Sequence, residues 1–118
     1  MKRQMNIKIV TEKIPISELR EIAKEFYTDM IKGAVDIERG IVALGGEYHI
    51  DASTKLTDNG SKQKDVWGFN IIFSKPKEDW FEYTALINIR PASNNRSMFI
   101  EDEKIRDKIK KIVNSKII

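Results

Sequence analysis

The apolar residues of this chain change their spacing twice, and that restricts the fold more than any other feature. Leu19, Ile22, Ala23, Phe26 and Met30 recur at helical spacing. Val35-Asp36-Ile37-Glu38 then alternates, and residues 65–73 and 80–90 are rich in aromatic and β-branched side chains, the marks of strands. Ile105, Ile109, Ile112 and Val113 return to helical spacing near the end. A helix with one apolar stripe must cover something, and strands that run together without intervening helices pair antiparallel. The pattern predicts a single α+β domain over residues 1–118, within the usual length of one domain. It has a mainly antiparallel sheet of four to five strands and two main helices, 17–32 and 102–114. A short helix near 52–57 is a further element.

The boundaries follow from punctuation. Ser17 is an N-cap, Glu18 and Glu21 suit a first helical turn, and Lys32-Gly33 is a stop signal. Residues 6–10 read as a short strand. Arg39-Gly40 is a two-residue turn into Ile41-Val42-Ala43-Leu44. Gly45-Gly46 lets the backbone bend or pass close to a neighbour. Strands 65–73 and 80–90 form a hairpin that Pro91 ends, because proline cannot donate to a ladder. Asp102 caps the last helix.

Composition excludes several classes. With no Cys, disulfide scaffolds and thiolate metal sites are ruled out; with one His, ordinary structural zinc is not expected, a cation held by carboxylate oxygens stays open, and no resident metal or cofactor is expected. No apolar stretch reaches membrane-spanning length, and Met1 to Asn6 lack the apolar core of a signal peptide. A cytoplasmic protein with no membrane partner is expected. The net charge of +3 lies at the ends. Residues 1–13 hold four Lys/Arg against one Glu, and residues 101–118 hold six against four acidic groups. The middle has eleven basic and thirteen acidic residues, which argues against a nucleic-acid face.

The lone histidine sits in Gly45-Gly46-Glu47-Tyr48-His49-Ile50-Asp51. In a strand, Glu47, His49 and Asp51 share one face, and a carboxylate beside an imidazole makes an acid–base centre. The same residues also suit a salt-bridged surface strand. If the segment is helical, Glu47 and Asp51 stack but His49 points away. Two other groups interrupt apolar strands: Asp65 with Asn70, and Asn88 with Arg90, followed by Arg96. Arg90 and Arg96 suit bidentate capture of a phosphate or carboxylate, with Asn88, Asn70 and Asp65 lining the site. The alternative for Arg90 is a structural pair with Asp65, Glu82 or Asp51.

Three blocks, Ile41 to Asp51, Asp65 to Asn70, and Ile87-Asn88-Ile89-Arg90-Pro91 with Asn95-Arg96-Ser97, resemble a family of short prokaryotic proteins classed as a domain of unknown function. The resemblance runs from the first helix to the last. It implies a single α+β domain and carries over no functional residue. The sequence departs from the family pattern at Ile50, at Ala52-Ser53-Thr54, at Ala92-Ser93-Asn94 and at Met98-Phe99. The residues themselves lead to a small anionic ligand in a polar pocket at a sheet end. A nucleic-acid-binding module or small ribonuclease is one alternative. A non-catalytic homodimer, pairing through an edge strand or the terminal helix and Ile117-Ile118, is the other.

Overall fold

In the computed structural model, which describes residues 5–118, the sheet is built from β1 (Lys8–Val10), β2 (Met30–Asp36), β3 (Ile41–Leu44), β4 (Val66–Ile72) and β5 (Phe81–Glu82). The order is β1-β3-β2-β4-β5 and every pairing is antiparallel. Three helices cover it: α1 (Ile16–Ala23), α2 (His49–Asp58) and α3 (Glu103–Asn114). The α+β class is as the spacing predicts. The reading of Met1 to Asn6 as lacking a signal-peptide core falls largely on residues 1–4, outside the described residues.

Alternation along the strands gives the sheet two unlike faces. Ile31 and Val35 of β2, Val42 and Leu44 of β3, and Trp67, Phe69 and Ile71 of β4 join one core. Leu19 and Ile22 of α1 and Ile109 and Val113 of α3 close that core. The other face is shallow. Ala43, Ala34 and Gly68 lie side by side across β3, β2 and β4. Their small size lets Ala52 and Leu56 of α2 pack directly onto the sheet.

Several boundaries move, each for a tertiary reason. α1 ends at Ala23 rather than 32, and its N-cap is Pro15 rather than Ser17. Met30, which sits on the helical stripe in sequence, begins β2 instead. As the central strand, β2 bonds to both β3 and β4, and those two ladders outweigh local periodicity. β2 stops at Asp36 because its carboxylate accepts the amides of Glu38 (2.9 Å) and Arg39 (3.0 Å). The link to β3 is therefore a four-residue turn, not Arg39-Gly40 alone.

The long strand expected over 80–90 does not form. β5 pairs only Glu82 with Asn70 and Phe81 with Ile71. Beyond it, Tyr83 and Ala85 bond to Ile100 and Met98, and Leu86–Asn88 make one tight helical turn. That turn folds over Gly68, where a Cβ would lie 2.7 Å from the Ala85 Cβ. α3 begins at Glu103, with the Asp102 carboxylate accepting the Lys104 amide at 2.9 Å, as its N-cap signal predicts.

Candidate functional site

Register builds the floor of a groove on the shallow face. Lys32 of β2 is opposite Asn70 of β4, and Asn70 is opposite Glu82 of β5. The three side chains form one row across three strands. His49, the first residue of α2, stands over the middle of that row. The expected segment 47–51 is thus helical from His49 onward. Gly45 and Gly46, with φ of 116° and 97°, turn the chain from β3 into that helix.

The groove has a volume of about 500 Å³. Its polar floor is Lys32, His49, Asn70 and Glu82, and its walls include Ile50, Leu86 and Met98. A mostly apolar cleft with a few convergent polar groups has the character of a small-molecule site.

The hydrogen bonds on the floor assign the imidazole. The Asn70 amide nitrogen donates to Glu82 Oε1 at 3.0 Å and to the Thr84 carbonyl at 3.3 Å. Its Oδ1 is thereby turned to His49 Nε2, 2.7 Å away, with the Phe69 carbonyl at 3.1 Å. Both neighbours of Nε2 are acceptors, so Nε2 carries the proton and donates. In the neutral ring Nδ1 holds the lone pair, and it has no hydrogen-bond partner among the described residues. Burial, the largest influence, lowers the His49 pKa from its ordinary 6.5, and the Lys32 charge adds to this. The bonds from Asn70 and Phe69 and the charge of Glu82 oppose it. The ring is neutral at pH 7.

A titration consequence follows. The unfolded chain binds a proton at His49 more readily than the folded one, so stability rises with pH across the interval between the two pKa values. Thermal unfolding midpoints should be flat above about pH 7 and fall as pH drops below 6.5, the unfolded value. His49→Gln should flatten that slope just below pH 6.5. An unchanged slope in the variant would assign the effect to other groups.

The remaining residues singled out in the sequence lie elsewhere. Glu47 is exposed ahead of α2, and its backbone carbonyl accepts the Tyr27 hydroxyl at 2.7 Å. Asp51 turns away from the groove and caps α2, with Oδ2 accepting the Tyr48 amide at 2.9 Å. Asp65 pairs with Lys64 at 2.9 Å just before β4. Asn88 is fully buried and bonds both backbone groups of Gly68. Arg90 donates to the carbonyls of Lys64 (3.1 Å), Val66 (2.7 Å) and Ile87 (3.2 Å), and stacks on Trp67 at 4.6 Å. Val66 and Phe69 are three residues apart on β4, which separates Arg90 from His49 by about 10 Å along the strand. Arg96 is exposed, and among the described residues its amide alone is bonded, to Glu101 at 3.2 Å. Of the expected set, the groove brings together His49 and Asn70.

Lys32 and Glu82 are not among the expected site residues, and Glu82 figures only as a structural partner for Arg90. Lys32 resembled a helix terminus, and Glu82 was one of several polar residues in a supposed long strand. Cross-strand register alone exposes them. Among the described residues, no cluster of three His, Cys, Asp or Glu side chains is placed to hold a metal ion. No described helix is long and apolar enough to cross a membrane.

Sheet, helices and groove together define a single-domain α+β protein with an open cleft of small-molecule size over an imidazole. The chain belongs to the family described as "Protein of unknown function (DUF5674)", which matches residues 8–116. No curated protein and no solved structure matches it.

Proposed function

We propose that this protein binds a small molecule with an apolar body and an anionic head in the groove lined by His49. Lys32 carries the reading. Its ammonium lies over the rings of Tyr27 (5.2 Å) and Tyr48 (5.6 Å) and has no carboxylate within ion-pair distance among the described residues. A cation seated on two aromatic faces beside an apolar cleft suits an incoming carboxylate or phosphate. The walls supply affinity through burial of the ligand's apolar part. Arg90 and Arg96 have no part in the groove, so the anion-holding role moves to Lys32. Neutral His49 offers Nδ1 as an acceptor or a general base, with Asn70 setting its tautomer.

A thermal-shift screen of short carboxylates and phosphate monoesters with apolar tails tests this. At a hundredfold excess over Kd, a ligand stabilises by about 2.7 kcal/mol, on the order of 10 °C for a domain this size. Lys32→Met should abolish the shift while leaving the unliganded melting point nearly unchanged. A wild type that no anion stabilises, or a variant keeping the full shift, refutes the reading.

Exposed Leu86, Ile50 and Met98 around the groove favour a second reading, self-association through its mouth. Light scattering over a dilution series decides it, since a constant monomer mass removes the homodimer.

A further inference from the structure

We infer that the groove's ligand is a zwitterion, an α-amino acid with a large apolar side chain. The inference rests on the anion reading above and goes beyond it by assigning the opposite end of the row. Lys32, Asn70 and Glu82 are paired residue for residue across β2, β4 and β5, so the row runs from a cation through a neutral amide to a carboxylate. All three line the same groove.

Two strand spacings place the row's end residues about 10 Å apart at the backbone. The ammonium and carboxylate of an α-amino acid are roughly 3 Å apart, because one carbon carries both. With a hydrogen bond of about 2.9 Å at each end, the ligand bridges about 9 Å.

The Glu82 end offers a free carboxylate oxygen to a donor-rich group. Glu82 uses Oε1 to accept from Asn70, and its Oε2 has no partner among the described residues. His49 is only 9% exposed, and its Nε2 closes the other side of Asn70 by donating to Oδ1 at 2.7 Å, which leaves Oε2 of Glu82 as the free acceptor of the row among the described residues. An ammonium has three donors and no acceptor, which suits a charged carboxylate with a free oxygen. At the Lys32 end the ammonium receives the ligand carboxylate. The ligand's side chain lies along Leu86, Ile87 and Met98.

Isothermal titration of the full chain with L-leucine and L-phenylalanine tests the assignment. Leucinamide, which lacks the carboxylate, and 4-methylpentanoate, which lacks the ammonium, are the controls. Leucine is expected to bind at least tenfold more tightly than either control. Glu82→Gln keeps an acceptor for Asn70 and removes the charge. It should weaken leucine at least tenfold and leave 4-methylpentanoate unchanged, with the circular-dichroism melt confirming the fold. If 4-methylpentanoate binds as tightly as leucine, or if Glu82→Gln leaves leucine affinity intact, the zwitterion assignment is overturned while the anion reading stands. If leucinamide binds as tightly as leucine, or no compound binds, the zwitterion assignment is overturned, and the phosphate monoesters of the thermal-shift screen decide the anion reading separately.

Discussion

Asn88→Ala should lower the unfolding free energy by about 3–4 kcal/mol, a large share of the 5–15 kcal/mol typical of such a domain. Asn88 has no exposed surface. Its Oδ1 accepts the Gly68 amide at 2.8 Å, and its Nδ2 donates to the Gly68 carbonyl at 3.0 Å and to the Met98 carbonyl at 3.2 Å. The side chain acts as the missing ladder partner where β5 has already left β4. No other strand reaches Gly68 on that edge, because the 85–88 turn lies over it. Alanine strands a buried donor and acceptor, and each unmade bond costs about 1–3 kcal/mol. Asn88→Asp is expected to be no better. It keeps an acceptor but sets a carboxylate oxygen against carbonyl oxygens. Urea melts measure the loss, and hydrogen exchange at the Gly68 amide localises it. A cost under about 1 kcal/mol would mean that another group replaces the amide.

Arg90→Ala should cost about 2–3 kcal/mol and leave every ligand response unchanged. The guanidinium ties three carbonyls, of Lys64, Val66 and Ile87, across the start of β4, and it covers the Trp67 ring. Half-burial lowers its pKa from the ordinary guanidinium range, and Asp65 opposes that shift, but the group stays charged. Stacking on an aromatic ring adds about 0.5–1 kcal/mol at a partly exposed site. Arg90→Lys should recover little, since a single ammonium cannot reproduce the planar fork. Chemical denaturation gives the stability, and the anion screen gives the function. If the Arg90 variant kept its stability and lost the ligand shift, the guanidinium would be gripping an anion and the site would have to be redrawn.

These two residues show where sequence reasoning works and where it stops. Both stood out as polar groups in apolar strands, and that signal was sound: a buried amide and a half-buried guanidinium each need partners. The kind of partner was not legible. Asn88 and Arg90 satisfy backbone groups of β4, which lie about twenty or more residues away in sequence. Asn95 also satisfies backbone, but locally, donating to the carbonyls of Asn88, Ser97 and Phe99. The Asn88 to Ser97 block therefore holds one architectural knot together.

His49 was legible as a candidate because it is the lone histidine, yet its surroundings were not. Glu47 and Asp51 flank it in sequence, and a strand would have set all three on one face. Gly46, with φ of 97°, and the Asp51 cap turn the segment into α2 instead. The acidic neighbours leave, and Asn70 and Glu82 from other strands replace them.

What the chain's own order of residues determined is what acts over a few positions. The α3 stripe with its Asp102 cap, the apolar runs of β3 and β4, and the α+β class all depend on periods of 3.6 and 2 and on local capping bonds. The tertiary structure decided the rest. Met30 belongs to a strand because β2 has two neighbours to bond, and the 80–90 strand breaks because Asn88 serves Gly68 from the side. Above all, Lys32, Asn70 and Glu82 meet because the ladders of β2, β4 and β5 align them. Hydrogen-bond register between distant segments is a property of the assembled sheet, and no short window of sequence contains it.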